Sequence, residues 1–568
     1  MVRETRTARA RASTATTSRA PRVAAWLIAI LIGFAPAAHL EGPLLRDPWT
    51  VHDDARQVVY QARLATRDAA AAADPNAHQS ALYVPTALAF VYRVLGRWVD
   101  PLTLTKILPL LASPAFTLLV FSAGARRWGT AAGLAAAALA GLHSWSRWPP
   151  QWGAGDAGDL LALLQVGALA CLDSGRPLGA AALVVAAAHL YPPAFLILGA
   201  TAGMVALAGC IQRARPHGEP ERAREPHAFP FRVTGAGWAL AGGIALGAAL
   251  LLAKSLAYRG GEMGRLFTLA EARSMIEFSP LGRSPLFFDD SWRSVSNDRS
   301  GLALDLPTLF LLGFAIAVAL LAGPRRAGPS FALGAMTASG LVLWIAAREL
   351  IFLYQPVRFV VVTLPLAAAL LGGANGVRAL ERISRPALRG SAAALAAVGV
   401  LLVFVPRLYA SHVTASPPAL YRALAATPPG TLFAGPPRLL DFVPAFAERR
   451  VLVSDEMMPP MFVRRYATVR TLMTAMLTAY TARSPAEVDR FCTEHGVTHW
   501  IVDLDDFDAR STWSYFPPFD AIVTEARRRG PPYALAEAAR AHVLEGAEPY
   551  AIVPCPLAPL ALSRSTDP

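Results

Sequence analysis

Pro177 to Ala200 reads PLGAAALVVAAAHLYPPAFLILGA, and the reading of its middle decides the fold. As one kinked helix it is a single bilayer crossing. As two short helices it is two crossings with a reversal at Leu190-Tyr191-Pro192-Pro193. Proline removes a backbone donor and biases the residue before it away from helix, so the stretch breaks there in either case. Outside it, apolar runs fall near 23–40, 103–123, 129–146, 157–173, 233–257, 302–322, 330–347, 358–374 and 390–410. Most are long enough to cross about 30 Å of hydrocarbon at 1.5 Å per residue.

Arginine placement chooses the reversal. With it, Arg126 and Arg127, Arg176, the group from Arg213 to Arg232, Arg325 and Arg326, and the group from Arg378 to Arg389 all fall on one side. The short connections on the other side hold little beyond Arg147. Basic clusters mark the cytoplasmic side, and without the reversal the later ones would switch faces. The expectation is a polytopic α-helical membrane protein with about eleven transmembrane helices and its N-terminus in the cytoplasm. Residues 1–22 form a basic cytoplasmic tail, 23–410 the transmembrane domain with outer loops 41–102 and 258–301, and 411–568 a C-terminal extracytoplasmic α/β domain.

Composition agrees. The 568 residues are 54% hydrophobic and 16% charged, and the apolar residues gather into runs rather than the alternating ten-residue segments of a β-barrel. The net charge of +13 is nearly all arginine between apolar runs, with lysine only at Lys106 and Lys254. That is a topology signal, so no nucleic-acid partner is expected. Phosphate-cradling glycine loops, CxxC, HExxH and GxSxG motifs are absent from the sequence, which leaves ATP-driven transport and soluble-type hydrolysis unsupported.

Within the first loop, Trp49 to Ala73 and Tyr83 to Trp98 have the periodicity of amphipathic helices lying on the membrane. In the tail, Thr431 to Gly435, Arg450 to Ser454 and Val497 to Val502 read as strands, and Ser484-Pro485 opens a helix that Gly496 ends. Cys492 and Cys555 both lie in the tail. A disulfide between them and a pair of buried thiols are equally consistent with the sequence.

Three places carry polar chemistry. His52-Asp53-Asp54, followed by Ala55-Arg56-Gln57, puts adjacent carboxylates at the mouth of the first span. One suits a general base and the other an oxygen ligand for a divalent metal, while an ordinary acidic helix start is the competing reading. His189 and Tyr191 flank the proline break, where His189 either meets a phosphate or satisfies a freed carbonyl. Arg358, in Tyr354-Gln355-Pro356-Val357-Arg358-Phe359, either forks onto a lipid-linked phosphate or snorkels to headgroups. Asp156 and Asp159 open the fourth span on the same outer face, where they either approach the first loop or cap the helix. Asp289-Asp290 reads as solvated loop, and Asp503, Asp505, Asp506 and Asp508 as a solvated strand exit.

Together these features resemble the GT-C superfamily of integral-membrane glycosyltransferases. More particularly, the chain resembles a bacterial group with a DDARQ-like first loop, a YPP break, and AGPPR-like and RVLVS-like stretches in an outer tail, here Ala434 to Arg438 and Arg450 to Ser454. The resemblance implies that Asp53 or Asp54 is the catalytic base or metal contact, with His52, Arg56 and Tyr191 in support. It implies a sugar donor on polyprenyl phosphate held by Arg358 or His189, and a glycan, lipid or protein acceptor. A divalent metal (Mg or Mn) on Asp54 and Asp156 is the expected cofactor, and the bacterial inner membrane the expected location. The competing function is a non-catalytic translocase or assembly scaffold for envelope polymers. It would need polar residues along the bundle, whereas the spans are dominated by Ala, Leu, Val and Gly.

Overall fold

The computed structural model describes residues 19–56, 58–60, 63, 91, 92, 94–147, 157–214, 233–261, 263–508, 510, 511 and 513–557. Asp156 and most of the expected helix from Tyr83 to Trp98 lie outside them. Among the described residues, seven helices are long and apolar enough to cross a membrane, and 160–173, 177–190 and 306–322 are apolar but shorter.

The apolar runs fold as α1 (Arg19–Glu41), α2 (Pro101–Trp128), α3 (Thr130–Ser146), α4 (Ala157–Asp173), α5 (Pro177–Leu190), α6 (Pro192–Ala214), α7 (Val233–Gly260), α8 (Leu306–Ala322), α9 (Phe331–Glu349), α10 (Thr363–Glu381) and α11 (Pro386–Phe404). In hydrocarbon every backbone polar group must be satisfied within the segment, so such runs have no alternative to helix. Tyr191 is extended between α5 and α6, at φ −158° and ψ 102°. The two helices pack against each other, as a reversal requires and a kink would not allow.

Small residues set the closest approach in the bundle. A Cβ on Gly33 of α1 would lie 2.6 Å from the carbonyl oxygen of Ser113 in α2. Without it, Ser113 Oγ donates to Gly33 O at 2.9 Å and Thr117 Oγ1 to Ala29 O at 2.7 Å. This is the small-residue packing with cross-helix hydroxyl bonds that joins helices in lipid. In contrast α11 is almost wholly uncovered, presenting Leu395 and Leu402 outward.

Beyond α11 the chain forms β2 (His412–Thr414), α12 (Pro418–Ala426), β3 (Leu432–Ala434), β4 (Arg450–Val451), α13 (Val463–Tyr480), α14 (Pro485–His495), β5 (His499–Asp503), α15 (Asp520–Arg529) and β6 (Tyr550–Pro554). The sheet order is β4-β3-β5-β6, with β3 parallel to β4 and β5, and β6 antiparallel to β5. Gly496 ends α14 in the left-handed region at φ 67°. Phe433, Trp500, Ile501, Tyr421 and Tyr480 fill the core beneath.

Two expectations fail here, and one holds only in part. The start of the first loop does not lie flat on a membrane. Thr50–His52 forms β1, which pairs antiparallel with β2, and Val51, Ala55 and Val59 are buried in the same core as Leu420 and Phe446 of the tail. The amphipathic period was real, but its apolar face meets protein.

Nor is 258–301 simply a solvated loop. Glu277 and Phe278 are buried, and Tyr466 of α13 donates to Glu277 Oε1 at 2.6 Å. Asp289 and Asp290 are exposed, and Asp290 caps the short helix Ser291–Ser296 by accepting from Arg293 N at 2.6 Å.

Finally, Asp506 is not fully solvated. It accepts from the buried Tyr480 hydroxyl at 3.0 Å, and burial with Asp503 nearby pushes its carboxyl up to about 7.

Cys492 at the end of α14 and Cys555 after β6 are joined in a disulfide that closes 63 residues of chain. Loop-closure entropy makes such a bond worth about 4 kcal/mol. Reduction, or Cys555→Ser, should therefore lower the melting midpoint of the tail and free the β6 edge to limited proteolysis. An unchanged digestion pattern with and without reductant would refute this.

Candidate active site

Asp53 and Asp54 occupy the turn that leaves β1. Backbone pairing fixes the turn, because Asp53 N donates to Ser411 O at 2.9 Å. Arg56, one helical turn on, donates through Nε to Asp53 O at 2.9 Å and through Nη2 to Asp53 Oδ1. Asp53 is thus held by a side chain yet keeps 44% of its own side chain exposed, while Asp54 is exposed.

Arg56 is only 6% exposed, so its charge must be met inside the protein. It lies 3.9 Å from Asp441 Oδ2 and 3.5 Å from Glu456 Oε1, with its guanidinium 4.5 Å from the Phe442 ring centre. Arg283, from the 258–301 segment, reaches the same Glu456 oxygen at 3.5 Å. Asp455 adjoins, 4.0 Å from Arg438.

Burial raises the Asp441 and Asp455 carboxyls, and mutual repulsion with Glu456 adds to it, against Arg56 and Arg283. Asp53 is raised too, by burial first and then by Glu456, with Arg56 and Arg283 opposing. For Arg56 and Arg283 burial opposes the charge, but the surrounding carboxylates prevail and raise both.

A second, cationic cluster begins on the other side of Arg283. Ser284 Oγ is 3.1 Å from the Tyr354 hydroxyl. Arg358 lies over the Tyr354 ring at 5.9 Å and over the Tyr191 ring at 5.7 Å. Tyr191 and Asp305, the N-cap of α8, are both near enough to act electrostatically on Arg147, the C-cap of α3. Arg147 is 6% exposed, and its Nε and Nη1 find no hydrogen-bond partner among the described residues.

Several expected residues therefore converge: Asp53 and Arg56 at one end, Tyr191 and Arg358 at the other. His189 does not join them, since it is exposed on α5. His52 does not line the acidic site either. Its Nε2 is 2.8 Å from Glu41 Oε1 and 3.1 Å from His412 Nε2, and burial pushes its imidazole well below the usual range. Asp156, expected to share a metal with Asp54, lies outside the described residues. Among the described residues, the group placed to hold an ion is instead Glu41, His52 and His412.

The sequence reading missed Asp441, Asp455, Glu456 and Arg147. Only Arg147 carried a signal, as the lone arginine in the short connections of an otherwise arginine-poor face.

No protein-family model matches the chain, and no curated protein matches its sequence. Solved structures do. The Archaeoglobus fulgidus oligosaccharyltransferase tethered to an acceptor peptide containing the NVT sequon matches with a TM-score of 0.50 at 14% identity, over 92% of this chain and 72% of that one. The apo form matches at 0.49 and 15%, over 86% and 70%. The same organism's oligosaccharyltransferase AglB, in complex with an inhibitory peptide and a dolichol-phosphate, matches at 0.46 and 15%, over 85% and 69%. At such identity the likeness speaks to the fold alone: this chain is built like the archaeal oligosaccharyltransferase, a GT-C member.

Proposed function

We propose that the protein is a membrane glycosyltransferase that moves a sugar from a polyprenyl-phosphate donor to an envelope acceptor, a glycan, lipid or protein. The carrying observation is the run of contacts from Asp53 through Arg56 and Glu456 to Arg283, continued by the neighbouring Ser284 to Tyr354 and from there to Arg358. Arg283 is near enough to act electrostatically on both Asp53 and Tyr354. On this reading a carboxylate base stands at one end of that run and a cationic phosphate site at the other. The oligosaccharyltransferase likeness supports the same class, since those structures are named with a dolichol-phosphate and an acceptor peptide.

In this reading Asp53, held by Arg56, takes the proton from an acceptor hydroxyl. The resulting oxygen attacks the anomeric carbon, the carbon–oxygen bond to the lipid phosphate breaks, and configuration inverts. The phosphate leaves as an anion beside Arg358 and Arg147, so it needs cationic stabilisation rather than a strong general acid. A divalent ion such as Mg or Mn, if held by Asp54 and Asp156, would supply Lewis-acid positive charge to the reaction. The proposed setting is the outer face of a bacterial inner membrane. There the chain makes about eleven crossings from a cytoplasmic N-terminus, and loops 41–102 and 258–301 share the outer face with the domain 411–568. Arg438, 4.0 Å from Asp455, also borders a cavity of about 520 Å³ with Asp505, Asp506 and Trp513.

With a labelled polyprenyl-phosphate sugar, Asp53→Asn should reduce transfer by at least about 100-fold, the scale of a lost general base. Asp54→Asn should reduce it less and alter the response to added metal. Full transfer by both variants would refute the mechanism.

A further inference from the structure

We propose that Glu41, His52 and His412 form a binding site for one zinc-class divalent ion, separate from the acidic cluster around Arg56. The donors come from three segments: the last residue of α1, and a cross-strand pair of β1 and β2 that are register partners. Glu41 Oε1 and His52 Nε2 are 2.8 Å apart, the two Nε2 atoms 3.1 Å, and His412 Nε2 lies 3.4 Å from the Glu41 carboxylate. A tetrahedral zinc with bonds of about 2.0–2.1 Å holds neighbouring donors roughly 3.3 Å apart, so the triangle needs only slight expansion.

Hydrogen bonding alone serves this triangle poorly. A ring nitrogen either carries a proton and donates, or lacks one and accepts. If both Nε2 atoms donate to Glu41, two N–H groups face each other at 3.1 Å. If His52 donates to His412, its bond to Glu41 weakens. A cation at the centre satisfies all three lone pairs at once. Burial sharpens the point, because Glu41 is 0% and His52 2% exposed, and water can do little to relieve the conflict. Lys106 lies near, but its ammonium donates to the carbonyl oxygens of Leu44 and Asp47 and is not the cation of the triangle.

Two imidazoles and one carboxylate select zinc, cobalt, nickel or copper over magnesium, which takes oxygen ligands. The ion would clip the end of α1 to the β1–β2 pair, one residue before Asp53, and so fix the turn that carries the acidic pair. The site stands independently of the glycosyl-transfer reading.

The test is metal content and stability of the full-length protein in detergent. After exposure to Zn²⁺ and desalting, elemental analysis should find one zinc per chain. Zn²⁺ should raise the melting midpoint, Mg²⁺ should not, and Co²⁺ should give the visible ligand-field band of a tetrahedral site. His412→Gln and His52→Gln should each weaken zinc binding by more than the roughly 10–100-fold that loss of a merely supporting partner costs. Substoichiometric zinc, no cobalt band, or equal zinc retention by the double variant would each overturn the proposal. The wild-type measurements decide it even if a variant fails to fold.

Discussion

Arg56→Met should destabilise the protein by about 3–5 kcal/mol and abolish transfer, the scale expected when one partner of a buried ion pair is removed. Arg56 is 6% exposed and faces Asp53, Asp441 and Glu456. Methionine keeps much of the side-chain volume against Phe442, so the loss would be electrostatic rather than a cavity. The pH dependence gives a second signature. Burial and neighbouring carboxylates already raise the Asp441 and Asp53 carboxyls, and Arg56 is the cation holding them down. Without it both rise further above the unfolded value of about 3.9. A carboxyl raised in the fold costs stability while ionised, and that cost disappears as pH falls through the folded pKa toward the unfolded one. Because the Asp441 carboxyl is already pushed up to about 8, the variant's deficit in melting midpoint should grow as pH rises through 8 and shrink toward pH 5. A deficit that is absent at pH 8, or unchanged across that range, would contradict the role given to Arg56.

The charges in this region are segregated. Carboxylates outnumber cations around Asp53, with Asp441, Asp455 and Glu456 set against Arg56 and Arg283. Past Tyr354 the balance reverses, with Arg358 and Arg147 close to Tyr191. On the proposed reading, the base that must accept a proton sits where burial and neighbouring negative charge already raise its affinity for one. On the same reading the departing phosphate sits beside two arginines, Arg358 and Arg147. Preorganised charge of opposite sign at the two ends of a reacting centre is the usual largest source of rate enhancement, because no dipoles need to turn during the step.

How far this was legible in the sequence follows from range. Helix positions were readable because lipid leaves a long apolar run one conformation, and the Tyr191-Pro192-Pro193 break was readable because proline acts on its immediate neighbours. Strands around Phe433 and Trp500 announced themselves by local pattern, as did the Asp53–Arg56 pair, one helical turn apart. The rest is long-range. Asp441 sits in an ordinary Leu-Leu-Asp-Phe helix end, and Asp455-Glu456 reads as a routine strand exit. Nothing local says that either meets Arg56, several hundred residues away. Glu41 and His412 drew no attention in the sequence, and only the β1–β2 pairing and the end of α1 bring them to His52. The first loop misled for a related reason: periodicity shows that a face is apolar, not whether lipid or the tail covers it.

Arg147→Leu should behave in the opposite way to Arg56→Met. Arg147 is as deeply buried as Arg56, but its Nε and Nη1 have no hydrogen-bond partner among the described residues. Each buried, unsatisfied donor costs about 1–3 kcal/mol, so a leucine of lesser polarity should leave the melting midpoint unchanged or raise it. If those donors are instead kept for the donor phosphate, the same change should raise the KM for the polyprenyl-phosphate sugar by about 10–100-fold, the equivalent of one charge-assisted hydrogen bond. The acceptor KM should stay as it was, because Arg147 lies at the Tyr191 end of the site and away from Asp53. If both arginines hold one ligand group, adding Arg358→Ala should then cost less than the two changes measured separately would predict. A protein that melts much lower and binds donor as before would show that Arg147 supports the fold and not the phosphate. Retained stability with lost donor affinity would instead place Arg147 among the groups that bind the donor phosphate.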